Sequence, residues 1–161
     1  MTLRPTLFTA FFIALLMVFS ASPAPSIAHE YEAGSLSLYH PYAYEVKLKG
    51  EATNAYMTIN NEGAEGDVLL RATSPIATSI DIVNEEEKMD KLEIGSRASV
   101  KFKMHGIHLR LNGVKKTIKP GTRQPITLVF EHAGEVKAQL IFTKLGEISL
   151  CDDGSHNKTI G

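Results

Sequence analysis

The sequence predicts an all-β domain built as a sandwich of two antiparallel sheets. Three observations predict it. Apolar residues recur at every second position in several short runs, turn-forming residues separate those runs, and no stretch has helical spacing long enough to anchor an α/β fold. Side chains of a strand point alternately to its two faces, so each alternating run marks one buried face. Many short strands with one buried face pack as two facing sheets.

In chain order, the first element is not part of that domain. Arg4 is the only charge before the apolar stretch Leu7 to Phe19, which is followed by Ser20-Ala21-Ser22-Pro23-Ala24-Pro25 and then by the small residues of Ser26-Ile27-Ala28. This is the three-part layout of a secretory signal, with the cut expected after Ala28. The apolar core falls short of the roughly 20 residues that span a bilayer. No cysteine precedes the cut, so the expected product is soluble, exported and without stable membrane insertion. The expected division is a signal over 1–28, a domain over 29–150 and a polar tail over 151–161.

Within the domain, strand candidates are Ser35–His40, Asn54–Asn60, Asp67–Ala72 and Ser79–Val83. Glu85-Glu86-Glu87-Lys88 reads as a solvated charged loop. Val100, Phe102 and Met104 then alternate with Lys101 and Lys103, and Ile107, Leu109 and Leu111 alternate with His108 and Arg110. Ile126, Leu128 and Phe130 form the next set, and Val136, Ala138, Leu140 and Phe142 the last. Asn61-Glu62-Gly63, Asn112-Gly113, Lys119-Pro120-Gly121 and Ala133-Gly134 supply the turns between them.

The net charge of −1 gives no electrostatic case for nucleic acid. Cys151 is the one cysteine, so no intramolecular disulfide forms, and the domain is long enough to bury a core without such a staple. There is no Gly-x-Ser-x-Gly elbow and no Gly-rich phosphate loop, so the sequence points away from an enzyme.

The chemistry-bearing residues are histidines and methionines. The densest group is Met104-His105-Gly106-Ile107-His108. Imidazole binds most transition metals, and thioether sulfur favours cuprous copper. Alternation through Ile107 and Leu109 turns His108 away from the buried face, while His105 falls at a turn beside a glycine. Met104 continues the buried Val100/Phe102 face and reads first as a core residue. At a mature N-terminus, the α-amine and imidazole of His29 would offer two nitrogens to a cupric ion. Cys151, Asp152, Asp153 and His156 give the tail weaker donors.

His29-Glu30-Tyr31-Glu32-Ala33-Gly34 and His40-Pro41-Tyr42-Ala43 open an ordered series of similarities. It continues through Asn54-Ala55-Tyr56-Met57-Thr58-Ile59-Asn60-Asn61, Ala72-Thr73-Ser74-Pro75-Ile76-Ala77 and Leu92-Glu93-Ile94. It ends with Gly106-Ile107-His108-Leu109, Leu111, Gly113 and Pro125-Ile126-Thr127-Leu128-Val129-Phe130-Glu131. In this series the chain resembles the periplasmic copper chaperones built on the PCu(A)C domain, over nearly the whole of 29–150. The resemblance implies a cupredoxin-like, Greek-key sandwich in the periplasm. It would hold cuprous copper and deliver it to a copper-accepting protein, such as a cytochrome oxidase assembly factor or subunit.

The family's copper site consists of a His, a Met further on, and a distant His-x-Met pair. His108 matches the His of the pair, but its Met falls on Arg110, and the family's first His falls at or near Val83. The loop from Asn84 to Lys91 looks shortened, with Met89 in place of its methionine. The resemblance therefore implies a divergent ligand set drawn from His108, His105 and Met89, with Met104 or His40 beside them. A cupredoxin-like module without metal, binding a protein partner, is the competing expectation, because Val83 and Arg110 cannot ligate.

Overall fold

The computed structural model describes residues 30–146. The signal segment, His29 and the tail with Cys151 and His156 lie outside the described residues. The described residues form eleven strands and no helix. The strands are β1 (Glu30–Ala33), β2 (Leu36–Tyr44), β3 (Thr53–Asn61), β4 (Asp67–Thr73), β5 (Ser79–Asn84) and β6 (Glu87–Met89). They continue with β7 (Leu92–Ile94), β8 (Ser99–Lys101), β9 (Ile107–Asn112), β10 (Arg123–Phe130) and β11 (Glu135–Thr143).

The hydrogen-bonded order is β6-β5-β9-β3-β2-β11-β10-β4-β7, with β1 added to β2 and β8 to β3. β6 and β7 stand at opposite ends of this order yet are separated in sequence only by Asp90-Lys91. The ends of the sheet are thus tethered to each other, and the sandwich is nearly closed, which leaves few free edges. Every ladder is antiparallel except that between β2 and β11, where Ile141 to Thr143 run parallel to Tyr42 to Tyr44. This is the all-β, cupredoxin-like sandwich that the alternation and the resemblance implied.

The core follows the predicted faces. In β11, Val136, Ala138, Leu140 and Phe142 are buried between exposed Glu135, Lys137 and Gln139. Ile126, Leu128 and Phe130 of β10 and Leu109 and Leu111 of β9 join them. Three short strands, β1, β6 and β7, were not among the predicted elements. β1 turns into β2 through Gly34, whose φ of 61° suits a two-residue hairpin turn.

β2 runs past the predicted end at His40. Pro41 brings no N–H to the ladder, and the strand accommodates it with a bulge. The β2–β3 register shifts between Tyr39 and Tyr42, and His40 takes a φ of 48°. The bulge restores the alternation, so Tyr42 and Tyr44 lie on one face while Ala43 is buried on the other.

Candidate metal centre around His108

β8 and β9 pair with the same edge of β3, Lys101 opposite Thr58 and Leu109 opposite Ala55. Between those pairs β3 has only Tyr56 and Met57, whereas the other chain runs from Phe102 to His108. The surplus leaves the ladder as an excursion. Its ends are pinned by Phe102 N donating to Met57 O at 2.9 Å and Lys103 N donating to Ile107 O at 2.7 Å. Glu85, in the two-residue β5–β6 turn, donates its N–H to Gly106 O at 3.0 Å. Met104 and His105 are exposed at the tip.

His108 sits where the chain re-enters the ladder and is only 2% exposed. Its Nδ1 lies 2.9 Å from Gly106 O. A carbonyl only accepts, so Nδ1 carries the proton, and in the neutral ring the lone pair is left on Nε2. Nε2 is buried and has no hydrogen-bond partner. The Tyr56 ring lies against the imidazole with centroids 6.1 Å apart, and Val83 of β5 stands directly opposite His108. Burying a polar atom without a partner costs on the order of 1–3 kcal/mol, and native structures rarely tolerate it without a reason. A fixed Nδ1–H with a free Nε2 is the arrangement by which proteins aim imidazole at a metal.

The structure corrects two expectations about burial. His108 does point away from the Leu109/Leu111 face, as predicted, but it is not on an open surface, because Tyr56 and Val83 form a second buried layer there. Met104 is not a core residue but is 48% exposed, because the alternation stops where the chain leaves the ladder at Phe102.

Met89 lies apart from His108. It pairs with Ile82, which pairs with Leu109, and it packs against the main core. His108 belongs to the next row, with Val83 and Lys88, whose side chains point to the other face. His40 is exposed in its bulge on one flank of β3, near Met57, and the excursion with Met104 and His105 leaves from the other flank. The chain thus places Met104 and His105 on the excursion that leads into His108, sets His40 on the far flank of β3, and turns Met89 to the other face. Among the described residues, no three His, Cys, Asp or Glu form a group that could hold an ion. A metal at Nε2 would therefore draw its further ligands from the thioether or imidazole of the excursion.

Arg110 shares the His108 face and is already engaged. Its Nη2 lies 3.0 Å from Glu86 Oε2, and Asp81 stands opposite it across the β5–β9 ladder. Lys88 Nζ meets Asp81 Oδ1 at 2.7 Å, and Asn112 Nδ2 donates to Asp81 Oδ2 at 2.8 Å. The Lys88 bond, with help from Asn112 and Arg110, holds the Asp81 carboxyl below the usual carboxylate range against the opposing effect of burial. The sequence reading missed Tyr56 and Glu86. Tyr56 was legible as the residue that must face away from Met57, but which strand would lie beside it was not.

Several solved structures share this fold, among them the three that follow. The copper-bound PCuAC domain from PmoF2 is 27% identical, with TM-score 0.67 over 73% of this chain and 99% of that one. The apo PCuAC domain from PmoF1 is 24% identical, with TM-score 0.68 over 73% and 100%. CuI-DR1885 from Deinococcus radiodurans is 23% identical, with TM-score 0.57 over 70% and 81%. Comparison with curated proteins found no match. The LpqE-like lipoprotein model matches residues 36–141, and the chain belongs to that family, with the fold of a PCuAC copper-chaperone domain.

Proposed function

We propose that this domain is an exported, periplasmic copper carrier, which holds copper as exchangeable cargo and passes it to an accepting protein rather than catalysing a reaction. The observation that carries the reading is the buried, unpartnered Nε2 of His108, with its lone pair oriented by the Nδ1 bond to Gly106. The likeness to the copper-bound PCuAC domain from PmoF2 supports it. His108 is the anchoring ligand, and Met104 and His105 are the exposed donors that complete the site and let the ion leave. Thioether and neutral imidazole favour the cuprous state. The acceptor is a copper-requiring protein of the same compartment, with a cytochrome oxidase assembly factor or subunit as the leading candidate.

The test is a cuprous chelator competition on the exported protein, with His108→Ala, His105→Ala, Met104→Leu and the His105→Ala/His108→Ala double variant, and thermal melts as a folding control. Loss of one ligand from a three-ligand site should weaken binding by about tenfold or more, each factor of ten being about 1.4 kcal/mol. A wild type that binds no tighter than the double variant would refute the reading.

A second reading, a metal-free module that docks a protein partner, is favoured by one observation. Val83, at the position of the expected first ligand, is 2% exposed and inert, and Arg110, at the position of another, is held by Glu86. The same titration separates the two.

A further inference from the structure

The Val83–His108 row lies outside the main hydrophobic cluster, which includes Ile82 and Leu109 but not Val83. Yet Val83 and His108 are both 2% exposed. Tyr56 covers one side of this row, and the register shows what can cover the rest of its outer face. Arg110 is level with Asp81, two residues further along β9 than His108, while Glu86 lies in the turn beyond Asn84. Strands advance about 3.3 Å per residue, so these two positions stand well apart along the sheet. Their side chains nevertheless meet at 3.0 Å. To meet, they must reach towards one another past the intervening row of Val83 and His108. On the opposite flank Lys88, which pairs with Val83, reaches along the strand to Asp81 at 2.7 Å.

We propose that the Arg110–Glu86 ion pair is a latch over the His108 imidazole, so that Nε2 becomes accessible only when the pair opens. The inference concerns access to the site and rests on the copper reading only for its purpose. Glu86 is 88% exposed on its side chain and Arg110 32%, so the latch is held by a surface ion pair rather than by packing. Such pairs are weak and screened by salt. That is what a reversible cover needs, and it gives Arg110 a role that its inability to ligate does not.

The test reads imidazole access directly and needs no copper. Diethyl pyrocarbonate is uncharged, so the charge of Arg110 does not steer it, and it acylates accessible imidazole nitrogen. The full chain is labelled and His105 and His108 are resolved by peptide mass mapping, with exposed His105 as the internal reference. Glu86→Ala removes the latch and Glu86→Gln weakens it, both at an exposed turn position where folding is not at risk. The His108 rate should rise by about two- to fivefold in Glu86→Ala, the range a surface ion pair can shift an opening equilibrium, and by less in Glu86→Gln. The His105 rate should stay unchanged. In 1 M salt, where screening acts within about 3 Å, the wild type should approach the variant.

A wild-type His108 that reacts as fast as His105, or a His108 rate unchanged in Glu86→Ala, would overturn the latch. The two ideas can fail separately. Gated labelling in a protein that binds no copper would sink the carrier reading and leave the latch, and tight copper binding with ungated labelling would do the reverse.

Discussion

Replacing His108 with phenylalanine should leave the domain about as stable as the wild type, while removing its affinity for copper. The reasoning starts from the orphaned Nε2. That atom is buried without a partner, so the wild type carries a desolvation cost of about 1–3 kcal/mol that a phenyl ring would not. The substitution gives up the Nδ1 bond to Gly106 O, worth about 0.5–1.5 kcal/mol. Gly106 O is not orphaned by the loss, because Glu85 N still donates to it at 3.0 Å. The phenyl ring is slightly larger than imidazole, and crowding against Tyr56 and Val83 offsets part of the gain. The two terms alone span about 0.5 kcal/mol of destabilisation to about 2.5 kcal/mol of stabilisation. With about 1 kcal/mol of crowding subtracted, the upper end is about 1.5 kcal/mol, or about 5 °C in Tm for a domain of this size, and the lower end is about 1.5 kcal/mol of destabilisation. Urea and thermal melts of the metal-free protein measure it, with His105→Phe as a control that should stay within about 0.5 kcal/mol at its exposed site. Destabilisation of His108→Phe by more than about 1.5 kcal/mol would show that Nε2 has a partner in solution and would remove the main support for a ligand role. A stabilised variant that has lost copper affinity would be the signature of a residue kept for function at the expense of stability.

Arg110→Met should strengthen cuprous binding in the same chelator competition, because a cation beside the site is exchanged for a soft thioether; unchanged or weaker affinity would place Arg110 outside the metal's reach. Asp67 makes a separate prediction about acid stability. Burial pushes its pKa up, but N–H bonds from His132, Ala133 and Val68 and the nearby His132 charge outweigh burial and bring it below the usual value. The folded pKa is therefore lower than the unfolded one, so the stabilisation is fully present above about pH 4 and is lost as pH falls through the folded value. Asp67→Asn should cost about 1.5–3 kcal/mol at neutral pH and flatten the acid limb of a pH series of urea melts; a parallel loss of stability in wild type and variant below pH 4 would refute it.

The parts of this molecule that were legible in the sequence are those that depend on local alternation. Val136 to Phe142 and Ile126 to Phe130 have the burial their spacing implies, because the β10–β11 ladder keeps one register from Arg123 to Val129. The shift against β4 between Val129 and Phe130 does not break the alternation of β10 itself. Met104 was misplaced because alternation cannot show where a chain leaves its ladder. Val100, Phe102 and Met104 keep period two in sequence, but the last ladder pair of β8 is Lys101 with Thr58. His108 was assigned to the correct face but given the wrong exposure. The cover on that face comes from Tyr56 and β5, tens of residues away, and from a turn whose two-residue length sets the β5–β6 register. The same register decides against Met89 as a partner of His108, since a shift of one residue would have turned its thioether to the other face. β6 and β7 escaped prediction because three residues of strand carry too little pattern, and their pairing depends on partners distant in sequence.

The charges around His108 bear on how the site could work. On the outer face, Asp81 and Glu86 are matched by Lys88 and Arg110 in two short ion pairs, so neither of these two carboxylates is free to offset a bound cation. Imidazole and thioether are neutral ligands, and a cuprous ion held by them would keep its full positive charge. Burying an uncompensated charge deeply is expensive. An ion bound here would therefore sit towards the excursion tip, where Met104 and His105 are exposed and water can solvate it, with His108 as its one buried contact. A resident cofactor site would need either a buried carboxylate or thiolate near Nε2 or a deeper set of ligands. What His108 has beside it instead is a tyrosine ring and a valine, neutral groups that add no charge to hold an ion, so a carrier built on this site would hold its metal weakly enough to give it up.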